Sequence, residues 1–108
     1  MLIYNTTYVC EDKRLNEFLA WLNAETIPQM LDSDIAYSPQ LCRVVPIEEQ
    51  TDKITNISLQ FRFNDVEALE RWIRKDMYVA HCKIGERFGQ SVLFFSTVLE
   101  VLPLSVQN

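Results

Sequence analysis

The chain predicts an α+β domain in the order β-α-β-β-α-β, a four-stranded antiparallel sheet with both helices on one face. Three observations predict it. Residues Asn56 to Phe63 alternate polar and apolar without a break. Two long segments, 13–31 and 64–88, repeat apolar residues at helical spacing. Three further runs, 2–9, 38–45 and 91–102, are rich in aromatic and β-branched residues, as strands are. At 108 residues the chain makes one domain, 1–108.

The first strand, Leu2 to Val9, leaves its facing open: Leu2, Tyr4, Thr6 and Tyr8 compete for the core with Ile3, Asn5, Thr7 and Val9. Asp12 is the expected N-cap of the first helix. That helix runs from about Lys13 toward Leu31 on Leu15, Phe18, Leu19, Leu22 and Met30. Pro28 lacks an N–H and clashes with the preceding turn, which predicts a kink or break between Ala24 and Ile27. Pro39 and Pro46 bracket the second strand, and an acidic loop, 47–53, leads to the third.

Asn64 and Glu67 stand at capping-box spacing before the second helix. Its stripe is Val66, Leu69, Ile73, Met77, Ala80, Ile84 and Phe88, with i,i+4 pairs Glu67–Arg71 and Glu70–Arg74 on the wet side. Gly89 stands where a left-handed residue would stop it. Leu93, Phe94, Phe95, Val98, Leu99 and Val101 make the last strand apolar on both faces, and Pro103 ends it.

Right-handed crossovers turn this order into the ferredoxin-like fold, with the first and third strands central. Ile57, Leu59, Phe61 and Phe63 then face the helices, and Asn56, Ser58, Gln60 and Arg62 face outward. Two helices cover only one face, so a last strand that is apolar on both sides wants a second cover. Sheet-to-sheet pairing into a homodimer supplies it, around a polar centre able to enclose a wet cavity. The bland alternative is a C-terminal segment folded over the face.

Several chemistries are excluded by missing parts. The net charge is −5 and no basic patch is dense, which argues against nucleic acid and anionic membranes. The aromatic pair Phe61 and Phe63 lacks the glycine-bearing basic motif of RNA-stacking sheets. Cys10, Cys42 and Cys82 form no C-x-x-C pair, so no zinc site or disulfide framework follows. The only glycines are Gly85 and Gly89, which removes glycine-rich phosphate loops. No metal or other cofactor is called for. No apolar run reaches membrane-spanning length and Met1 to Thr7 is no signal peptide, so the expected compartment is the cytoplasm.

What is left is a short set of ligand-binding candidates and no catalytic one: Arg43, Gln60, Arg62, Tyr4 and His81. Pairing of the middle strands brings Arg43 and Arg62 to nearby positions in this reading, where two guanidiniums would want a carboxylate or an anionic ligand. The competing reading pairs them with Glu100 or leaves them at a solvated rim. His81 is the only histidine, without a metal-spaced partner, and reads as a boundary residue rather than an acid or base.

The residues also carry a resemblance over nearly the whole chain. Ile3-Tyr4-Asn5-Thr6-Thr7, Phe18-Leu19-Ala20-Trp21-Leu22 with Ile27-Pro28, Leu41-Cys42-Arg43-Val44, Leu59-Gln60-Phe61, Ala68-Leu69-Glu70-Arg71-Trp72, and Arg87-Phe88-Gly89 with Val92-Leu93-Phe94-Phe95 resemble a family of short bacterial proteins known only as a domain of unknown function. The resemblance implies a dimeric α/β-barrel fold and no assigned activity. More distantly the layout is similar to dimeric α/β-barrel enzymes, among them cofactor-independent monooxygenases and haem-degrading enzymes, which place a ligand between sheet and helices. Where some of those carry a histidine shortly before a helix proline, this chain has Glu25-Thr26-Ile27-Pro28. The enzyme therefore stands as the alternative to a non-catalytic homodimeric module that binds a ligand or a protein.

Overall fold

The third strand fixes the sheet. In the computed structural model, which describes residues 1–105, Ile57, Leu59, Phe61 and Phe63 are all buried, and their polar neighbours stay partly exposed. This is β3 (Ile54–Phe63). It pairs antiparallel with β1 (Leu2–Glu11) on one side and β2 (Tyr37–Arg43) on the other. The last strand, β4 (Val92–Glu100), pairs with the far side of β1. The order is β2-β3-β1-β4, all antiparallel, with β1 and β3 central.

Register settles which row of β1 faces inward. Tyr4 lies opposite Phe61, Thr6 opposite Leu59 and Tyr8 opposite Ile57, so Tyr4, Thr6, Tyr8 and Cys10 share the helix side with the buried row of β3. Ile3, Asn5, Thr7 and Val9 take the open face. The large tyrosine bodies gain more from burial than the smaller row would.

Helix α1 (residues 15–30) is not a uniform α-helix. An α segment Leu15–Trp21 and a final turn Ile27–Met30 are joined by a π-helical turn, Leu22–Thr26. The irregularity expected before Pro28 is therefore a widened turn rather than a break; Pro28 has no N–H to give to the carbonyl one turn back. Asp12 does not cap this helix. It opens a 3-10 turn, Asp12–Arg14, and its carboxylate accepts a hydrogen bond from the Thr55 hydroxyl at 2.6 Å instead.

Helix α2 (residues 66–88) carries a second π turn, Ile73–Met77, between Val66–Trp72 and Tyr78–Phe88. The stripe is shifted accordingly. Trp72 and Asp76 are fully buried, Ile73 and Met77 only partly, and Val66 is exposed. The cap is Asp65, whose carboxylate accepts from the Ala68 N–H at 2.8 Å; Asn64 instead accepts from the Tyr37 hydroxyl. Of the two expected surface pairs, Glu70–Arg74 forms at 3.8 Å, and Glu67–Arg71 is not an ion pair. Gly89 ends the helix at φ 54, a backbone that favours glycine.

Trp72 is the centre of the core. Its ring packs against Tyr4, Phe61 and Phe63, with centroids at 5.1, 5.6 and 4.8 Å. Its indole N–H donates to the Met30 carbonyl at 2.7 Å, which ties α2 to the end of α1.

The two sheet edges differ. On β2 the register shifts between Tyr37 and Gln40, Ser38 has φ 52, and Pro39 removes a donor. On β4 nothing interrupts the ladder from Val92 to Glu100. The strand stops two residues short of the expected Leu102.

Candidate functional site

The helices leave most of β4 exposed. Only Val92 of the strand is buried. On the open face Leu93, Phe95 and Leu99 are 58, 60 and 44% exposed. They lie opposite Val9, Thr7 and Ile3. On the helix side Phe94 and Val98 are also exposed. Beyond the strand, Val101, Leu102 and Leu104 are exposed as well. So many large apolar groups in one stretch are uncommon on a monomer surface.

The middle of the open face is polar. Asn5 accepts from the Ser58 hydroxyl at 2.6 Å and gives its amide to Thr7 at 3.4 Å. Gln60 faces Asn5 on one side and Gln40 on the other. Arg62 lies toward the end of that row, against the Met1 sulfur at 2.9 Å.

Under α2, at the border with β4, a second feature appears. The Tyr8 hydroxyl and His81 Nε2 are 2.7 Å apart and buried. His81 lies against Phe94, with ring centroids 4.3 Å apart. Beside the pair the Thr6 and Ser96 hydroxyls meet at 3.0 Å. Burial pushes the His81 imidazole down to about 4, and it raises the Tyr8 phenol well above its ordinary value. His81 is therefore neutral at pH 7. With the proton on Nδ1, the phenol donates to Nε2.

The five candidates fall in three places. Gln60 and Arg62 share the open face. Tyr4 and His81 lie on the helix side, with Tyr4 used as a wall for Trp72. Arg43 is opposite Ile57 at the far end of β2, also on the helix side but exposed. The expected closeness of Arg43 and Arg62 is not found: Arg62 pairs with Tyr37 and Arg43 with Ile57, at opposite ends and on opposite faces. Neither arginine pairs with Glu100 among the described residues. Sequence reasoning missed Tyr8 as the partner of His81. The facing of β1 was the missing information.

Among the described residues no cluster of histidine, cysteine or carboxylate could hold a metal ion. No helix is long and apolar enough to cross a membrane.

A family model described as Domain of unknown function (DUF4286) matches residues 1–102. A comparison with curated proteins finds none that matches. Solved structures share the fold at low identity. A dimeric ferredoxin-like protein from an uncultured marine organism superposes with a TM-score of 0.66 at 13% identity, covering 99% of this chain and 100% of its own. An antibiotic biosynthesis monooxygenase gives 0.65 at 13%, covering 95% and 100%. A MhuD variant with manganese protoporphyrin IX bound gives 0.62 at 19%, covering 98% and 99%.

Proposed function

For a chain that belongs to the family Domain of unknown function (DUF4286), we propose a non-catalytic homodimeric binding module, two copies paired across the open sheet face. The observation that carries this reading is β4, apolar on both sides and, beyond Val92, left largely exposed. Four strands about 4.8 Å apart and roughly 30 Å long offer a face on the order of 600 Å². That approaches the ~800 Å² per partner of an ordinary stable interface, before the strand's continuation beyond Glu100 is added. The similar structure described as dimeric supports the same assembly. In such a pair Leu93, Phe95 and Leu99 form the dry part, and Asn5, Thr7, Ser58 and Gln60 line a wet centre where a small ligand or a peptide end finds hydrogen bonds. Solution mass by light scattering tests it. The wild type is expected at twice 12.7 kDa, and Phe95→Asp with Leu99→Asp at a single copy. A wild type that runs as one copy at micromolar concentration sinks the reading.

A second reading, a small monooxygenase-like or haem-binding enzyme, is favoured by the Tyr8–His81 pair beside the uncovered Phe94 and Val98. Two of the similar structures bear names of that kind. The residues present do not fit a haem ligated by His81. Its Nε2 is engaged by the Tyr8 hydroxyl, and its ring lies against Phe94. Titration with haem is expected to give no Soret band dependent on His81. A saturable band lost in His81→Ala favours the enzyme over the module.

A further inference from the structure

At the edge of the sheet farthest from β4, the loop between β2 and β3 folds back over the end of β1. It borders a half-open cavity of about 200 Å³, lined by Arg43, Gln50, Asp52, Thr55, Asn56 and Asp12 among others. We propose that this cavity binds a free α-amino acid, its carboxylate on Arg43 and its ammonium group between Asp12 and Asp52.

Size is the first argument. Sites for drug-sized ligands run from roughly 300 to 1,000 Å³, so this one suits a smaller metabolite. Charge is the second. One guanidinium and two carboxylates line the same space, yet none of the three is in an ion pair among the described residues. Groups of opposite sign left apart across a cavity fit a ligand that carries both signs itself. A plain anion on Arg43 would meet two carboxylates. A bare metal cation would meet the guanidinium and lacks a cluster of ligands to hold it.

Part of the lining is also fixed in advance. Asp12 is held by the Thr55 hydroxyl at 2.6 Å, and its backbone N–H donates to the Lys53 carbonyl at 3.0 Å. The Val44 N–H donates to the Asn56 carbonyl at 2.9 Å, which anchors the other end of the loop. Walls tied to β3 on both sides lower the ordering cost of binding. The lining has one negative charge in excess, two carboxylates against one guanidinium, which disfavours acidic amino acids.

This site goes beyond the dimer reading and does not depend on it. The experiment is calorimetric titration of the full chain with L-alanine, L-lysine and L-glutamate. N-acetyl-L-alanine, L-alanine methyl ester and inorganic phosphate serve as blocked or single-sign probes. Saturable binding of alanine and lysine is expected, with glutamate weaker. Either blocked form and phosphate should bind at least roughly tenfold more weakly. Arg43→Ala and Asp52→Asn should each cost a similar factor. Both residues are exposed, so the fold and the solution mass should not change. No binding of alanine or lysine up to the order of 10 mM overturns the proposal. So does binding that survives Arg43→Ala, or phosphate and blocked forms that bind as well as the free amino acids.

Discussion

His81 shows how burial converts an ordinary side chain into a pH-dependent one. Its folded pKa is about 4, against an ordinary 6.5. Between those values the unfolded chain binds a proton that the folded chain does not. Stability is therefore full above pH 6.5 and falls as pH drops toward 4, by at most about 3 kcal/mol. Chemical denaturation of wild type and His81→Gln across that window checks this; the wild type should lose stability relative to the variant on acidification. A constant difference between them would deny that the imidazole is buried neutral. Tyr8→Phe at pH 7 leaves Nε2 without its partner and should cost about 1–3 kcal/mol. The sequence placed His81 beside the stripe of its helix but not against Tyr8. Nothing in alternating Tyr4, Thr6 and Tyr8 says which row turns inward; only the pairing to Phe61, Leu59 and Ile57 does.

At the scale of the element, the helices were legible in extent and less so in their ends. Both N-termini were one choice away. Asp12 and Asn64 have the right chemistry for capping, but each carboxylate or amide oxygen was claimed by a residue distant in sequence, Thr55 or Tyr37. Local signals cannot report such competitors. The cap of α2 gives a clean comparison. Asp65→Ala should lower stability by about 1 kcal/mol, while Asn64→Ala, which loses one exposed hydrogen bond, should cost a few tenths. Thermal melts of the two variants decide, and equal losses would return the cap to Asn64. The π turn of α1 was announced by Pro28. The π turn of α2 has no proline to announce it. Its trace is Asp76, a carboxylate with no exposed surface, one oxygen of which is held by the Ser33 N–H at 3.1 Å and by the Ser33 hydroxyl. A π turn holds one residue more than an α turn, so everything after it is rotated back by about 100°. That rotation explains why Trp72, Asp76 and His81 are all buried although no single α-helical stripe contains them.

For the whole molecule, strand order and the polar and apolar rows of β3 followed from element order and alternation alone. The last strand also declared its exposure in sequence, since a strand apolar on both sides in a two-layer domain has nothing of its own to cover it. If two copies supply that cover, the melting temperature should rise with protein concentration, and in Phe95→Asp with Leu99→Asp it should not. Scanning calorimetry over a hundredfold concentration range would show it, and a concentration-independent wild type would count against pairing. The contrast between the two edges has a further consequence. The β4 edge is smooth and the β2 edge is spoiled by a bulge, a positive φ and a proline. A subunit with two adhesive edges adds copies head to tail without end and makes fibres. With the β2 edge spoiled, strand addition at β4 can join only one further copy, so the roughness of the opposite side guards the chain against endless edge-to-edge growth.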